Sequence, residues 1–243
     1  MNILAVIPAR GGSKGVSRKN LREVGGIPLV IHALKSALPN SDILDVLIST
    51  DDEEIADLCR KAGGAVPFIR PADLSSDTAA TWQVLQHAVK YQEQETGIRV
   101  DAIVTLQPTA PFRTDVHVRE AVQFFCDNPG RESLISTCSA EQYHPLTLYT
   151  KLGKNLCPLL KDLDPNTRRQ NFPPVYWRNG AIYITSRDFL FACNRTTSNQ
   201  PLMYEMPAEI SVNIDSEKDL DYANFLWSSL NKNNEIKIRT AAN

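Results

Sequence analysis

The sequence predicts an α/β protein with a mostly parallel sheet flanked by helices and a smaller irregular arm. Three observations carry this. Short apolar runs such as residues 3–7 and 101–106 read as strands covered on both faces. They alternate with stretches whose apolar residues recur at helical spacing. The loops after the first and fourth strands, 8–20 and 107–113, are rich in Gly, Pro and cations, as expected of ligand loops beyond the carboxyl ends of an open α/β sheet.

The elements follow in order. After the first strand and its loop, Pro28 opens a helix in which Leu29, Ile31, Leu34 and Leu38 form one stripe. His32 reads as a packed helix residue rather than a ligand. Residues 44–49 form a second strand. The acidic run 51–54 favours the positive end of the next helix, which Gly63 and Gly64 terminate. A short third strand spans 66–69. Ser76, Asp77 or Thr78 caps a helix from about 79 to 94. A fourth strand covers 101–106, Thr114 caps a helix to about 127, and 133–138 is a fifth strand.

The rhythm breaks at about 139. Residues 139–178 are polar and contain prolines, and read as an active-site insertion or a β-rich arm used for dimerisation. The chain returns to a strand at 180–185 and a short helix from Ser186. At 210–215, Ile210, Val212 and Ile214 alternate with Ser211, Asn213 and Asp215. This reads as a half-buried strand that places Asn213 and Asp215 on one face. The tail beyond Asn231 is polar and reads as frayed. A single domain over 1–243 accommodates all of this.

Composition removes several functional classes. The 243 residues carry a net charge of −2, so long-range attraction to nucleic acid or an anionic membrane is not expected. No apolar run approaches the ~20 residues that span a bilayer, and the first residues read directly as a strand without a charged leader. The 5 cysteines are scattered and lack C-x-x-C spacing, which predicts reduced thiols in a cytoplasm.

The first loop carries the chemistry. Arg10, Lys14, Arg18 and Lys19 surround Gly11, Gly12 and Gly15, with Ser13 and Asn20 among them. Glycines let backbone N–H groups approach anionic oxygens, and Arg and Lys add charge-assisted hydrogen bonds. The pattern predicts phosphate binding. Neither the Walker A spacing nor the G-x-G-x-x-G fingerprint is present. In the second loop two prolines fix the path and leave Gln107 and Thr109 as hydrogen-bonding groups. Two readings of Asp215 stand side by side. With Asn213 it offers two oxygens to a hard cation such as Mg²⁺, or it joins a helix cap made by Ser216 and Asp219.

The segments IPARGGSKGVSRKN, LISTD, SSDTAAT, LQPTAPFR, RRQNFP, NGAIYI and VNIDSEKDLD, in this order, resemble the CMP-sialic acid synthetases (acylneuraminate cytidylyltransferases) over nearly the whole chain. The resemblance implies a mononucleotide-binding, Rossmann-like core and a homodimer built by the 139–178 segment. It also implies Mg²⁺-assisted transfer of CMP from CTP to the anomeric hydroxyl of a nine-carbon 2-keto sugar acid. It assigns Arg10, Ser13, Lys14, Lys19, Asn20 and Thr81 to the nucleotide, with Lys19, Arg10 and Asp215 as the catalytic set. It assigns Gln107, Asn179 and Tyr183 to the sugar, and Arg169 to the sugar site of the other subunit. Asp215 is then the main metal ligand, with Asn213 where the family often has Asp.

A second departure is Trp177, which stands where a sialic acid enzyme has an arginine, the cation having moved to Arg178. The acceptor is therefore open between N-acetylneuraminic acid and a relative such as legionaminic acid. The alternatives are activation of the eight-carbon acid KDO and a nucleotide-binding regulatory protein without catalysis.

Overall fold

The computed structural model describes residues 1–13, 15–160 and 168–241, with only the backbone course for 231–241. Its centre is a six-stranded sheet. Strand β1 (Ile3–Pro8) leads through the glycine loop into a small hairpin, β2 (Glu23–Val24) and β3 (Ile27–Pro28), and then α1 (Leu29–Ala37). Next come β4 (Ile43–Ser49), α2 (Glu53–Lys61), α3 (Thr81–Thr96), β5 (Ala102–Thr105), α4 (Asp115–Cys126) and β6 (Ser133–Ser139). A second hairpin, β7 (Tyr149–Leu152) and β8 (Asn155–Pro158), stands apart from the sheet. The chain closes with β9 (Tyr176–Ser186), α5 (Arg187–Cys193), β10 (Leu202–Glu205) and α6 (Glu217–Ala241).

The strand order is β10-β6-β9-β5-β1-β4. All neighbours run parallel except β9, which is antiparallel to both β5 and β6. The continuous apolar run of β1 is explained by burial on both faces. Ile3, Ala5 and Ile7 pack with Leu34 of α1, Ile55 of α2 and Val122 of α4, whereas Leu4 and Val6 pack with Leu85 of α3 and Leu190 of α5. A third cluster joins Val16 and Phe112 from the two loops to Ile214 and Leu220. It ties the start of α6 to the carboxyl ends of β1 and β5.

Several expectations from sequence change. Residues 66–69 are not a strand; only isolated bridges at Ala65 and Ile69 reach β4, because the segment is too short to build a ladder. The helix expected from 79 begins at Thr81. None of Ser76, Asp77 and Thr78 caps it; instead Gln83 Oε1 accepts the Ala80 N–H at 3.0 Å. Residues 210–215 pair with no strand; Ile214 N donates to the Thr109 carbonyl at 2.9 Å, so the segment lies on the second loop rather than in the sheet. The last helix runs on past Asn231 to Ala241. The acidic run opens α2 as expected, with Asp52 as its cap, and the Thr114 cap holds. Asp52 accepts from Glu54 N and Ile55 N, and Thr114 Oγ1 accepts from His117 N. His32 is buried and hydrogen-bonded to the Val24 carbonyl.

Candidate active site

The loop after β1 is shaped by its own side chains. Ser13 Oγ donates to the Val16 carbonyl at 2.7 Å and accepts the Lys19 N–H at 3.0 Å. Asn20 Nδ2 donates to the Arg10 carbonyl at 2.8 Å. Asp51 Oδ1 accepts the Gly11 N–H at 2.9 Å, so one of the four acids after β4 holds the loop rather than the helix. A Cβ on Gly15 would collide with the Asp215 carbonyl oxygen, which makes glycine necessary at this crossing. Lys14 lies outside the described residues. Arg18, counted above among the phosphate cations, turns away: it pairs with Asp52 at 2.9 Å and Glu54 at 3.0 Å at the start of α2.

Between this loop, the N-terminus of α3 and the loop after β5 lies a cleft of about 480 Å³. The two loops singled out from sequence are therefore walls of one site. Arg10, Ser13, Lys19, Asn20, Thr81, Gln107 and Asp215 all line it. Arg10 pairs with Asp77 at 2.8 Å across the mouth. Lys19 Nζ donates to Asp215 Oδ1 and to the Ile214 carbonyl, both at 2.9 Å.

One charged lining residue was not singled out from sequence. Arg70 is buried, donates to the Ser49 carbonyl at 2.7 Å, and has its pKa lowered by that burial. Its signal was slight: a cation just beyond the bridge that leaves Ile69 against Thr50, past the end of β4.

The alternative readings of Asp215 separate here. Asp219 Oδ2 accepts from Ser216 Oγ at 2.8 Å and Ser216 N at 2.7 Å, so those two residues make the helix cap. These bonds hold the Asp219 carboxylate below its ordinary pKa despite partial burial. Asp215 gives the cap only its N–H, and its carboxylate stays 68% exposed at the cleft. Although no strand forms, Asn213 does meet it: Asn213 Nδ2 donates to Asp215 Oδ2 at 2.6 Å. Asn213 Oδ1 is buried and, among the described residues, has no hydrogen-bond partner.

The exposed Asp215 carboxylate suits a hard divalent cation, whereas the Asn213 amide turns its Nδ2 toward Asp215, so Oδ1 would join the ion only with the amide turned over. Among the described residues no group of three His, Cys, Asp or Glu could hold a metal, so further ligands would come from substrate and water.

The sugar-side residues divide. Gln107 lines the cleft, and Gly180 links it to Asn213: a Cβ at 180 would sit 3.5 Å from Gln107 Oε1 and 3.2 Å from Asn213 Oδ1. Asn179 is only 1% exposed and engaged in structure. Its Oδ1 accepts from Ser136 Oγ at 2.6 Å, and its Nδ2 donates to Ser211 Oγ at 2.9 Å. Tyr183 sits on β9 under the Arg178 guanidinium, 6.0 Å from the ring centroid, with its pKa raised by burial. Arg169 is exposed on a turn and donates to the Glu141 carbonyl at 3.2 Å. These last three do not line the cleft within one chain.

A doubly covered, mostly parallel sheet with a cationic, glycine-lined cleft beyond its carboxyl ends, together with the family match, defines a nucleotide-binding enzyme of the nucleotidyltransferase class. The chain belongs to the cytidylyltransferase family, whose profile matches residues 4–232.

It is 33% identical to post-translational flagellin modification protein B of Campylobacter coli, over 94% of this chain and 96% of that protein. It is 32% identical to the CMP-N,N'-diacetyllegionaminic acid synthase of Legionella pneumophila, over 92% and 94%. It is 28% identical to the N-acylneuraminate cytidylyltransferase of Streptococcus agalactiae serotype III, over 90% of this chain but only 52% of that protein, so it spans about half of that relative. Among solved structures, a CMP:2-keto-3-deoxy-manno-octonic acid synthetase complexed with CTP shares the fold. The TM-score is 0.69 at 19% identity, covering 94% of this chain and 99% of that one.

Proposed function

We propose that this protein activates a nine-carbon 2-keto sugar acid of the sialic or legionaminic type by transferring CMP from CTP to its anomeric hydroxyl. The observation that carries this reading is the convergence of Arg10, Lys19, the α3 N-terminus and Asp215 with Gln107 in one cleft of a cytidylyltransferase. A helix N-terminus and two cations suit a triphosphate. The similarity to a CMP-N,N'-diacetyllegionaminic acid synthase and to an N-acylneuraminate cytidylyltransferase supports the choice of acceptor class.

In this reading the anomeric oxygen attacks the α-phosphorus in line. The new O–P bond forms as the bond to the β-bridging oxygen breaks, pyrophosphate leaves with the electron pair, and the hydroxyl proton passes to solvent. The protein contributes position and charge. Arg10 exchanges Asp77 for phosphate, Lys19 exchanges Asp215 for phosphate, and Ser13 and Asn20 keep the loop in shape, with Lys14 assigned to the nucleotide as well. Thr81 flanks the nucleotide at the start of α3, and Gln107 orients the acceptor.

Asp215 and Asn213 are the residues that would hold Mg²⁺ or another divalent cation, which supplies neutralisation of phosphate charge. The charge balance supports this. Among the described lining residues Arg10, Lys19 and Arg70 face Asp77 and Asp215, one net positive charge against a triphosphate.

Asn179 and Tyr183 act on the acceptor side, Asn179 through the backbone it shapes. Arg169 serves the site of a second copy. Exposed apolar side chains on the arm are in keeping with such a homodimer: Tyr149 of β7 and Leu156 of β8 share one face of the hairpin and are 48% and 67% exposed. Five free thiols are in keeping with a reducing compartment such as the cytoplasm.

The test is pyrophosphate release from CTP and Mg²⁺ with a panel of 2-keto sugar acids. Release with a nine-carbon acid supports the reading. Release only with the eight-carbon acid moves the acceptor, and CTP binding without release from any acid makes the protein a nucleotide-binding regulator.

A further inference from the structure

Arg113 is 4% exposed, and among the described residues no carboxylate pairs with it. A buried cation without a counter-ion is costly unless its N–H groups hold something in place. Here they hold three elements. Nε donates to Ser36 Oγ of α1 at 3.0 Å, and Nη1 donates to the Gln107 carbonyl at 3.1 Å and to the Ala181 carbonyl at 2.7 Å. Burial pushes the guanidinium pKa down to about 9, which leaves it a cation at neutral pH.

The Ala181 carbonyl needs this donor because the ladder is broken there. Pairing of β6 with β9 jumps from Ile135–Tyr183 to Thr137–Arg178, so residues 179–182 bulge opposite Ser136. Ser136 Oγ accepts the Ile182 N–H at 2.7 Å, and Asn179 Oδ1 accepts the Ala181 N–H at 3.2 Å. Gly180, at φ +77°, turns the chain so that its open side faces Gln107 Oε1 and Asn213 Oδ1. Arg113 is thus the direct link between the Gln107 backbone and the bulge that carries Gly180.

We propose that Arg113 is a positioning residue for the acceptor half of the site: its guanidinium clamps the Gln107 carbonyl to the Ala181 carbonyl, fixing Gln107 in the cleft wall with Gly180 and Asn213 packed against it. Arg113 makes no bond to the nucleotide half: Ser13 and Asn20 brace their own loop, Arg10 pairs with Asp77, and Lys19 binds Asp215 and the Ile214 carbonyl. A planar fork can serve carbonyls and a hydroxyl in different directions at once; an ammonium at the same depth serves fewer of them. This inference rests on the proposed reading that Gln107 faces the acceptor acid.

The experiment compares Arg113→Met and Arg113→Lys with the wild type in steady-state kinetics, varying CTP and the sugar acid separately. It adds hydrogen exchange of peptides covering 105–110, 179–183 and 8–20. The expected result for Arg113→Met is a rise of about tenfold or more in KM for the acid, with KM for CTP within about twofold. Arg113→Lys should restore part of the loss. Exchange should quicken at 105–110 and 179–183 and stay unchanged at 8–20. Equal rises in both KM values, or no rise in either, would overturn the proposal. If Arg113→Met does not fold, Arg113→Lys carries the same comparison with a smaller shift. If the wild type turns over no acid, the functional reading fails, and the exchange pattern alone decides whether Arg113 holds this wall.

Discussion

Lys19 Nζ lies 2.9 Å from Asp215 Oδ1, although the two residues are 196 positions apart. The ammonium side is mostly covered, with 16% of the Lys19 side chain exposed, whereas the carboxylate is 68% exposed. An ion pair so unevenly wetted adds little to stability. Its effect is to leave a cation and an anion poised on one side of a nucleotide cleft, each able to take a new partner when substrate arrives.

Lys19→Ala should therefore cost far more in catalysis than in folding. The expected loss is about tenfold to a thousandfold in kcat/KM, with a change in stability under about 1 kcal/mol. Asp215→Ala should fall in the same range. A loss below about tenfold in kcat/KM, roughly 1.4 kcal/mol, for either variant would remove it from the catalytic set.

Arg10 pairs with Asp77 at 2.8 Å, so in the proposed reading an incoming phosphate competes with that carboxylate. Asp77→Asn should lower KM for CTP by about two- to fivefold at low salt, and the gain should shrink as salt rises. Titration of CTP into the variant at two ionic strengths checks this. Weaker CTP binding in the variant would mean that Asp77 positions the nucleotide instead of competing with it.

The first strand, its loop and the second loop were legible from sequence because each carries a local signal. Burial on both faces makes β1 continuously apolar, and phosphate chemistry concentrates glycine and cations after it. What was not legible depends on distant partners. Arg18 could not be told from Arg10 or Lys19 by composition; its partners Asp52 and Glu54 belong to another element. Residues 210–215 alternate like a strand, yet the sheet already has its edges elsewhere, and the segment lies against Thr109 instead. Strand β10 was missed because only four residues, Leu202–Glu205, pair with β6 at a sheet edge. Asn179 looked like a contact residue, while its hydrogen bonds to Ser136 and Ser211 depend on a bulge that no local pattern announces.

Asn213 donates to Asp215 at 2.6 Å, so replacing it by Asp puts two carboxylates side by side. Without metal, Asn213→Asp should lower Tm by a few degrees through like-charge repulsion. Added Mg²⁺ should restore the Tm, and half-maximal activity should need several-fold less Mg²⁺ than in the wild type. Melting curves with and without Mg²⁺ read the first effect independently of turnover. A Tm that does not respond to Mg²⁺ would place the cation elsewhere.

Glu93 accepts from Arg187 Nε at 2.7 Å and Nη2 at 2.9 Å, with both side chains about three-quarters or more covered. The Arg187 hydrogen bonds are the main reason that the Glu93 pKa lies below its ordinary value of 4.5. A depressed carboxylate stabilises the fold fully above its unfolded pKa, and that contribution fades as pH falls through the folded one. Glu93→Gln should thus cost about 1–2 kcal/mol at neutral pH. The difference from wild type should hold down to about pH 5.5 and shrink below pH 4.5. Chemical denaturation of both proteins across that range checks the sign; a difference that grows in acid would contradict it.

In the proposed reading, the first loop and the second loop bring a nucleotide and a sugar acid together for transfer at the α-phosphorus. Following separately labelled [α-³²P]CTP and [γ-³²P]CTP in the presence of Mg²⁺ and a nine-carbon 2-keto sugar acid tests it most directly. The α label is expected to move into a sugar-acid conjugate while the γ label leaves in pyrophosphate. An α label that remains in CTP, or appears only as free CMP, with every acid supplied would contradict it.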